Sequence, residues 1–183
     1  MEFNKKDVKI LILSGKAGSG KSTVADMIKE ILDKKVVILS YASYLKMYAK
    51  EILGYDEEKD VKPREFLQHL GVELIKNNID DKMLIRRIIE DIKVYSYFYD
   101  VIVISDARFI SEIEDIKTSF DNVTVIHIDG FENNLTLDQK KHSTEVALDG
   151  YNNYDYVIDN KVSKEELRNK ISDILKVCYE NRD

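Results

Sequence analysis

Lys9-Ile10-Leu11-Ile12-Leu13-Ser14-Gly15-Lys16-Ala17-Gly18-Ser19-Gly20-Lys21-Ser22-Thr23 is the stretch on which the fold turns. Its first six residues form a short, almost continuously apolar run, the kind that is buried on both faces of a parallel sheet. The next nine satisfy G-x-x-x-x-G-K-[ST]. From Lys21 onward Val24, Ala25, Ile28, Ile31 and Leu32 recur at helical spacing, which predicts a helix to about Asp33. Strand, glycine-rich turn and helix in that order are the context in which this motif makes a phosphate-binding loop (P-loop). The glycines let successive backbone N–H groups converge on phosphate oxygens, and the helix N-terminus adds partial positive charge. Lys21 would reach the β- and γ-phosphates of a nucleotide, and the Ser22 hydroxyl would ligate Mg²⁺. The expected nucleotide-binding residues are therefore Gly15, Lys16, Ala17, Gly18, Ser19, Gly20, Lys21, Ser22 and Thr23.

Outward from this segment, apolar runs alternate with helical patterns. Residues 36–39 read as a second strand and residues 41–53 as a helix closed near Gly54. Helices are expected over 63–75, with Pro63 in the first turn, and over 81–97, with Asp80 or Asp81 as N-cap. Residues 101–104 are the third strand, followed by a helix opened by a Ser111/Glu114 capping box. Residues 123–128 and 156–158 are the fourth and fifth strands. A Ser163/Glu166 box then opens a C-terminal helix carrying Leu167, Ile171, Ile174, Leu175 and Cys178 on one face. This alternation predicts a three-layer α/β/α fold with a five-stranded, mostly parallel sheet. The polar stretch 130–149 contains Thr136 and Gln139 at capping-box spacing and a Lys140-Lys141-His142 cluster; it reads as a flap or as a solvated loop.

The chain has 183 residues, room for one well-buried domain (1–183) and too few for two complete ones. With 28 Lys+Arg against 34 Asp+Glu, the net charge of −6 gives no bulk basic field for nucleic acid or an anionic membrane. Any bound anion must be met by a local site. The one cysteine, Cys178, excludes an intramolecular disulfide framework and a cysteine zinc cluster, and it fits a reducing, cytoplasmic compartment. No apolar run approaches the ~20 residues of a membrane span, and the N-terminus lacks the long apolar region and cleavage site of a signal peptide. The composition leaves a homodimer open.

Two further groups of residues carry chemistry. Ser105-Asp106-Ala107-Arg108 follows the third strand directly, which puts Asp106 at the carboxyl end of the sheet, where open α/β folds bind ligands. Asp106 there could hold Mg²⁺ through water, and Arg108 could clamp phosphate; a capping aspartate beside a surface arginine is the plainer alternative. Arg64, Gln68, Gly71 and Ile75 share one sector of a helical wheel, beside an apolar stripe of Phe66, Leu67, Leu70 and Leu74. Arginine offers a phosphate fork, glutamine an amide for a base, and glycine room for close approach. His69 and His127 read as a surface and a satisfied strand residue, and Cys178 as a core residue.

Five features in order resemble the phage-type deoxynucleoside monophosphate kinases of the P-loop nucleoside monophosphate kinase superfamily. They are the P-loop; Tyr41-Ala42-Ser43-Tyr44-Leu45-Lys46; Arg64-x-x-Leu67-Gln68-x-x-Gly71-x-Glu73; Ser105-Asp106-x-Arg108-Phe109; and His142-Ser143-Thr144-Glu145 with Leu148-Asp149 and the segment Asp155 to Asn160. The animal-type phosphomevalonate kinases are similar in the P-loop, the Asp-x-Arg and the Glu/Leu-Asp segment. The resemblance implies an adenylate-kinase-like fold with an acceptor-binding helical region over about 41–97 and a short lid over 130–149. It also implies ATP with Mg²⁺ as donor and a (deoxy)nucleoside monophosphate as acceptor. Lys46, Arg64 and Arg108 would surround the acceptor phosphate, and Gln68 would face the base. Lys21, Arg108, Lys140 and Lys141 would neutralise charge during transfer, with Asp106 beside them. Glu145 and Asp149 would shape the flap or contact Mg²⁺ or the nucleoside sugar; a solvated role is the plainer alternative. The chain departs from the family pattern at Ser43-Tyr44, at Lys76 and at Asp129-Gly130. Rival readings are a kinase for phosphomevalonate or dephospho-coenzyme A, and a regulatory nucleotide-binding ATPase.

Overall fold

The computed structural model describes residues 3–61, 63–130 and 143–180, the last without the Glu180 side chain. Five strands, β1 (Lys9–Ser14), β2 (Val36–Leu39), β3 (Val101–Ala107), β4 (Val123–Asp129) and β5 (Tyr156–Asp159), form one sheet in the order β2-β3-β1-β4-β5. All four pairings are parallel, so every strand points its carboxyl end to the same edge.

Strand alternation divides the apolar side chains between two cores. Leu11 and Leu13 face α1 (Lys21–Ile31) and the C-terminal helix α7 (Lys164–Glu180), in a cluster with Val24, Ile28, Leu167, Ile171 and Leu175. Ile10 and Ile12 face α4 (Met83–Tyr95) and α5 (Ile110–Ser119), in a cluster with Ile88, Ile92, Ile113 and Ile116. Both faces of the sheet are therefore covered, as the apolar strands require. A third, smaller cluster of Ala49, Tyr55 and Leu67 packs α2 (Tyr41–Leu53) on α3 (Arg64–Gln68). A short helix, α6 (Ser143–Val146), follows residues 131–142, which lie outside the described residues. The Thr136/Gln139 box and Lys140, Lys141 and His142 fall there.

Three local readings are corrected. The helix expected to end at Ile75 continues from α3 without a break as a wide-wound π-helix, His69–Ile79. Because its bonds run i→i+5, residues beyond Gln68 turn less per step than on an α-helical wheel. Leu74, expected in the apolar stripe, is thus exposed, while Ile75 is buried on the same side as Gln68 and Gly71, as expected. The cap of α5 is set two residues earlier than the Ser111/Glu114 spacing suggests. The carboxylate of Glu112 accepts the Phe109 N–H at 3.1 Å and the Arg108 N–H at 2.7 Å, and Glu114 instead accepts the Tyr151 hydroxyl. Helix α4 starts at Met83, with Asp80 accepting the Lys82 N–H at 2.9 Å. The Ser163 cap is as read, its hydroxyl accepting the Glu166 N–H at 3.2 Å. No helix among the described residues is long and apolar enough to cross a membrane.

Candidate active site

The turn from β1 to α1 is held from two sides. Gly15 has φ +139°, and a Cβ there would lie 2.4 Å from the carbonyl oxygen of Ile128 on β4. Only glycine fits that position. Behind the loop, Gly130 comes so close that a Cβ would lie 2.5 Å from Ser19 Cα, and Asn160, just past β5, donates from Nδ2 to Ser19 O at 2.8 Å. The loop's shape is thus fixed by the ends of β4 and β5.

Lys21 folds back over this loop, donating to the carbonyls of Gly15 (2.6 Å) and Lys16 (2.7 Å). Burial, and secondarily the Arg108 charge, lower its pKa to about 8. Arriving phosphates would supply the missing negative charge. Ser22 and Thr23, at the start of α1, face a cavity of about 630 Å³, as do Ala17, Gly18, Gly20 and Lys21.

That cavity continues from the phosphate loop to the helices between β2 and β3. Lys46, Arg64, Gln68, Gly71, Asp106 and Arg108 all line it, which brings together residues from β3, α2, α3 and its π continuation. Gly71 does so for a different reason from the one expected: a Cβ there would press on Leu45 Cδ1 at 3.0 Å, so the space is used by helix packing. Lys46 makes an ion pair with Glu57.

Asp106 serves the neighbouring helix. Its carboxylate accepts the Ser40 hydroxyl (2.7 Å), the Tyr41 N–H (2.8 Å) and the Ala42 N–H (2.9 Å), capping α2 from the adjacent strand. Ser40, which sequence reasoning passed over, is part of this arrangement.

Glu145 is the centre of a cationic cluster. Its side chain is only 2% exposed, and Oε1 lies 2.6 Å from Arg108 Nη1 and 3.5 Å from Arg64 Nη2. Oε2 accepts the Ala17 N–H of the phosphate loop at 2.9 Å. A second link, Lys16 to Asp149 at 3.2 Å, ties the loop to the same segment. An anionic group thus sits where two arginines and a loop amide converge, which is the chemistry of a phosphate pocket.

His69 pairs with Glu73 on the surface, and His127 lies between Ser14 (3.2 Å) and the Tyr154 ring, as read. Cys178 is half-buried. Among the described residues no group of three His, Cys, Asp or Glu side chains could hold a metal ion. Lys76, a departure from the family pattern, also lies on the cavity wall, as does Glu112, which sequence reasoning missed; the one available signal for Glu112 is a glutamate at the third position of a helix.

A phosphate loop at the carboxyl edge of a five-stranded parallel sheet, opening on a cavity with two arginines, defines a P-loop kinase. The chain belongs to the deoxynucleotide monophosphate kinase family, whose model matches residues 33–171, and it is an ATP-dependent phosphotransferase. That match begins beyond the phosphate loop, so loop and family are independent observations. A search of curated protein sequences finds no match. Among solved structures, a gluconokinase from Sinorhizobium meliloti 1021 is 15% identical, with 97% of each chain covered and a TM-score of 0.59. The Mycobacterium tuberculosis APS kinase in complex with AMPPNP and APS is 14% identical, covering 93% of this chain and 99% of that one, with a TM-score of 0.55. At such identities the likeness is one of fold, and it matches the three-layer architecture described above.

Proposed function

We propose that the protein transfers the γ-phosphoryl group of ATP to a deoxynucleoside monophosphate, giving the diphosphate. The observation that carries this reading is the single cavity that joins the phosphate loop to Arg64, Gln68 and Arg108. Donor and acceptor sites in one continuous space allow in-line transfer between two phosphates held close together.

An acceptor phosphate is already an anion at pH 7, so the reaction needs alignment and charge neutralisation more than a base. Lys21 would follow the transferring group, and Arg108 and Arg64 would hold the acceptor phosphate, with Lys46 beside them and Gln68 toward the base. Glu145 is a positioning residue: it keeps both guanidinium groups pointed at the cavity until a phosphate replaces or shares its contacts. Lys140 and Lys141 would add charge from the lid 130–149, whose closure would exclude water.

Mg²⁺ fits the donor set: the Ser22 hydroxyl faces the cavity, and this ion keeps most of its waters and takes few protein oxygens besides substrate phosphates. Asp106 would reach it through water, and the ion would supply charge stabilisation on the phosphates. Every residue invoked comes from one copy of the chain, and the reading suits a soluble, cytoplasmic enzyme.

A hydroxyl acceptor such as dephospho-coenzyme A would ask Asp106 to take a proton. With its oxygens already accepting from three donors that cap α2, Asp106 is poorly placed to do so, which favours the phosphate acceptor. A coupled ADP-release assay over deoxynucleoside monophosphates, phosphomevalonate and dephospho-coenzyme A tests the reading. Stimulation by a deoxynucleoside monophosphate is expected; stimulation by none of them would overturn it.

A further inference from the structure

The cavity wall away from the phosphate loop holds one buried carboxyl group that the phosphate chemistry does not use. Glu112, at the third position of α5, is 9% exposed. Its Oε2 caps the helix by accepting the Arg108 and Phe109 N–H groups. Among the described residues no donor reaches Oε1, although Glu112 lines the cavity with Gln68, Lys76 and Phe109. Across from it, Lys76 on the π-helix lays its ammonium over the Phe109 ring, 3.3 Å from the centroid, and stays beyond the 4.0 Å of an ion pair with Glu112. A helix cap needs one oxygen. The second is left accessible from the cavity, where a ligand can meet it.

We propose that Glu112 is a specificity-determining residue whose Oε1 hydrogen-bonds the exocyclic group of the acceptor's base, in a slot bounded by Lys76 and Gln68. This rests on the acceptor being a deoxynucleoside monophosphate. Two backbone donors fill Oε2, so a proton on Glu112 resides on Oε1. When ionised, Oε1 accepts, which suits the amino group of cytosine or adenine; when protonated, it donates, which suits the carbonyl of thymine or guanine. Burial first, and then the Asp106 charge on β3, push the group up, while the Arg108 and Phe109 N–H bonds and the Lys76 charge oppose; the balance is about 7. Tyr41 on α2 donates to the Glu112 carbonyl oxygen at 3.0 Å, and Asp81 bears on Lys76. Both protonation states are therefore present near neutral pH, and the choice of base follows the proton.

The test is kcat/KM for the four deoxynucleoside monophosphates at about pH 6 and about pH 8, either side of that value, in the wild type and in Glu112→Gln. Glutamine keeps an oxygen for the cap but offers the cavity a donor that does not titrate. In the wild type the ratio of cytosine to thymine acceptor should rise about threefold to tenfold with pH, the worth of one hydrogen bond. In Glu112→Gln the ratio should be flat with pH and shifted toward thymine and guanine, with KM for ATP unchanged. A wild-type ratio independent of pH, or equal ratios in both proteins, would overturn the inference and leave Glu112 a helix cap. Turnover of none of the four would overturn the acceptor reading itself.

Discussion

At the scale of single residues the site is a balance of buried charges. Lys21 is held by loop carbonyls and waits for phosphate, so Lys21→Ala should lower kcat about a hundredfold to a thousandfold, the worth of one preorganised charge donor, while circular dichroism shows a folded protein. With Arg108 proposed to hold the acceptor phosphate, Arg108→Ala should raise the acceptor KM about tenfold to a hundredfold, as expected for a lost hydrogen bond between charged groups. Glu112 makes a prediction for stability. Its carboxyl ionises at about 7 in the folded chain against an ordinary 4.5, so the folded state binds the proton more tightly. Stability contributed by the protonated group is full below about 4.5 and is lost as pH rises through about 7. Denaturant titrations should show wild type falling relative to Glu112→Gln across that window and parallel to it above. Such pairings were only half legible in the sequence. Lys21, Asp106 and Arg108 stood out by motif, whereas the burial of Glu145 against two arginines and a loop amide depends on chain segments more than thirty residues apart.

At the scale of elements, the phosphate loop owes its shape to neighbours that are distant in sequence. The pairing of Ser14 with His127 brings the end of β4 behind the loop, and only then does Gly130 matter. Gly130→Ala should displace Ser19 and weaken ATP binding about tenfold to a hundredfold, since displacements near 1 Å are costly in such sites; titration with a non-hydrolysable ATP analogue measures it. Strand–loop–helix order was readable because apolar period and glycine spacing are local signals. The π winding after Gln68 was not, because an α-helical wheel assumes 3.6 residues per turn and nothing in the residue types marks the wider winding. The wheel still selected Arg64, Gln68, Gly71 and Ile75, all on the cavity wall, but misjudged Leu74.

At the scale of the whole molecule, an acidic chain of net charge −6 concentrates Lys21, Lys46, Arg64 and Arg108 around one cavity at one edge of its sheet. The sheet that carries them is stabilised on both faces, and Ile104, fully buried between β3's neighbours and the helices beyond, is a sensor of that framework. Ile104→Ala should cost about 2–5 kcal/mol in denaturant unfolding while leaving both KM values near wild type. Sheet composition and layer order were legible in full, since five apolar runs separated by helical patterns admit few topologies. The acceptor's identity was not, because it depends on a wall assembled from α2, α3, the π-helix and α5. The most direct measurement of the central claim follows a radiolabelled γ-phosphoryl group from ATP in the presence of a deoxynucleoside monophosphate. Label appearing in the deoxynucleoside diphosphate, in step with ADP, is the expected result; label released only as inorganic phosphate would contradict it.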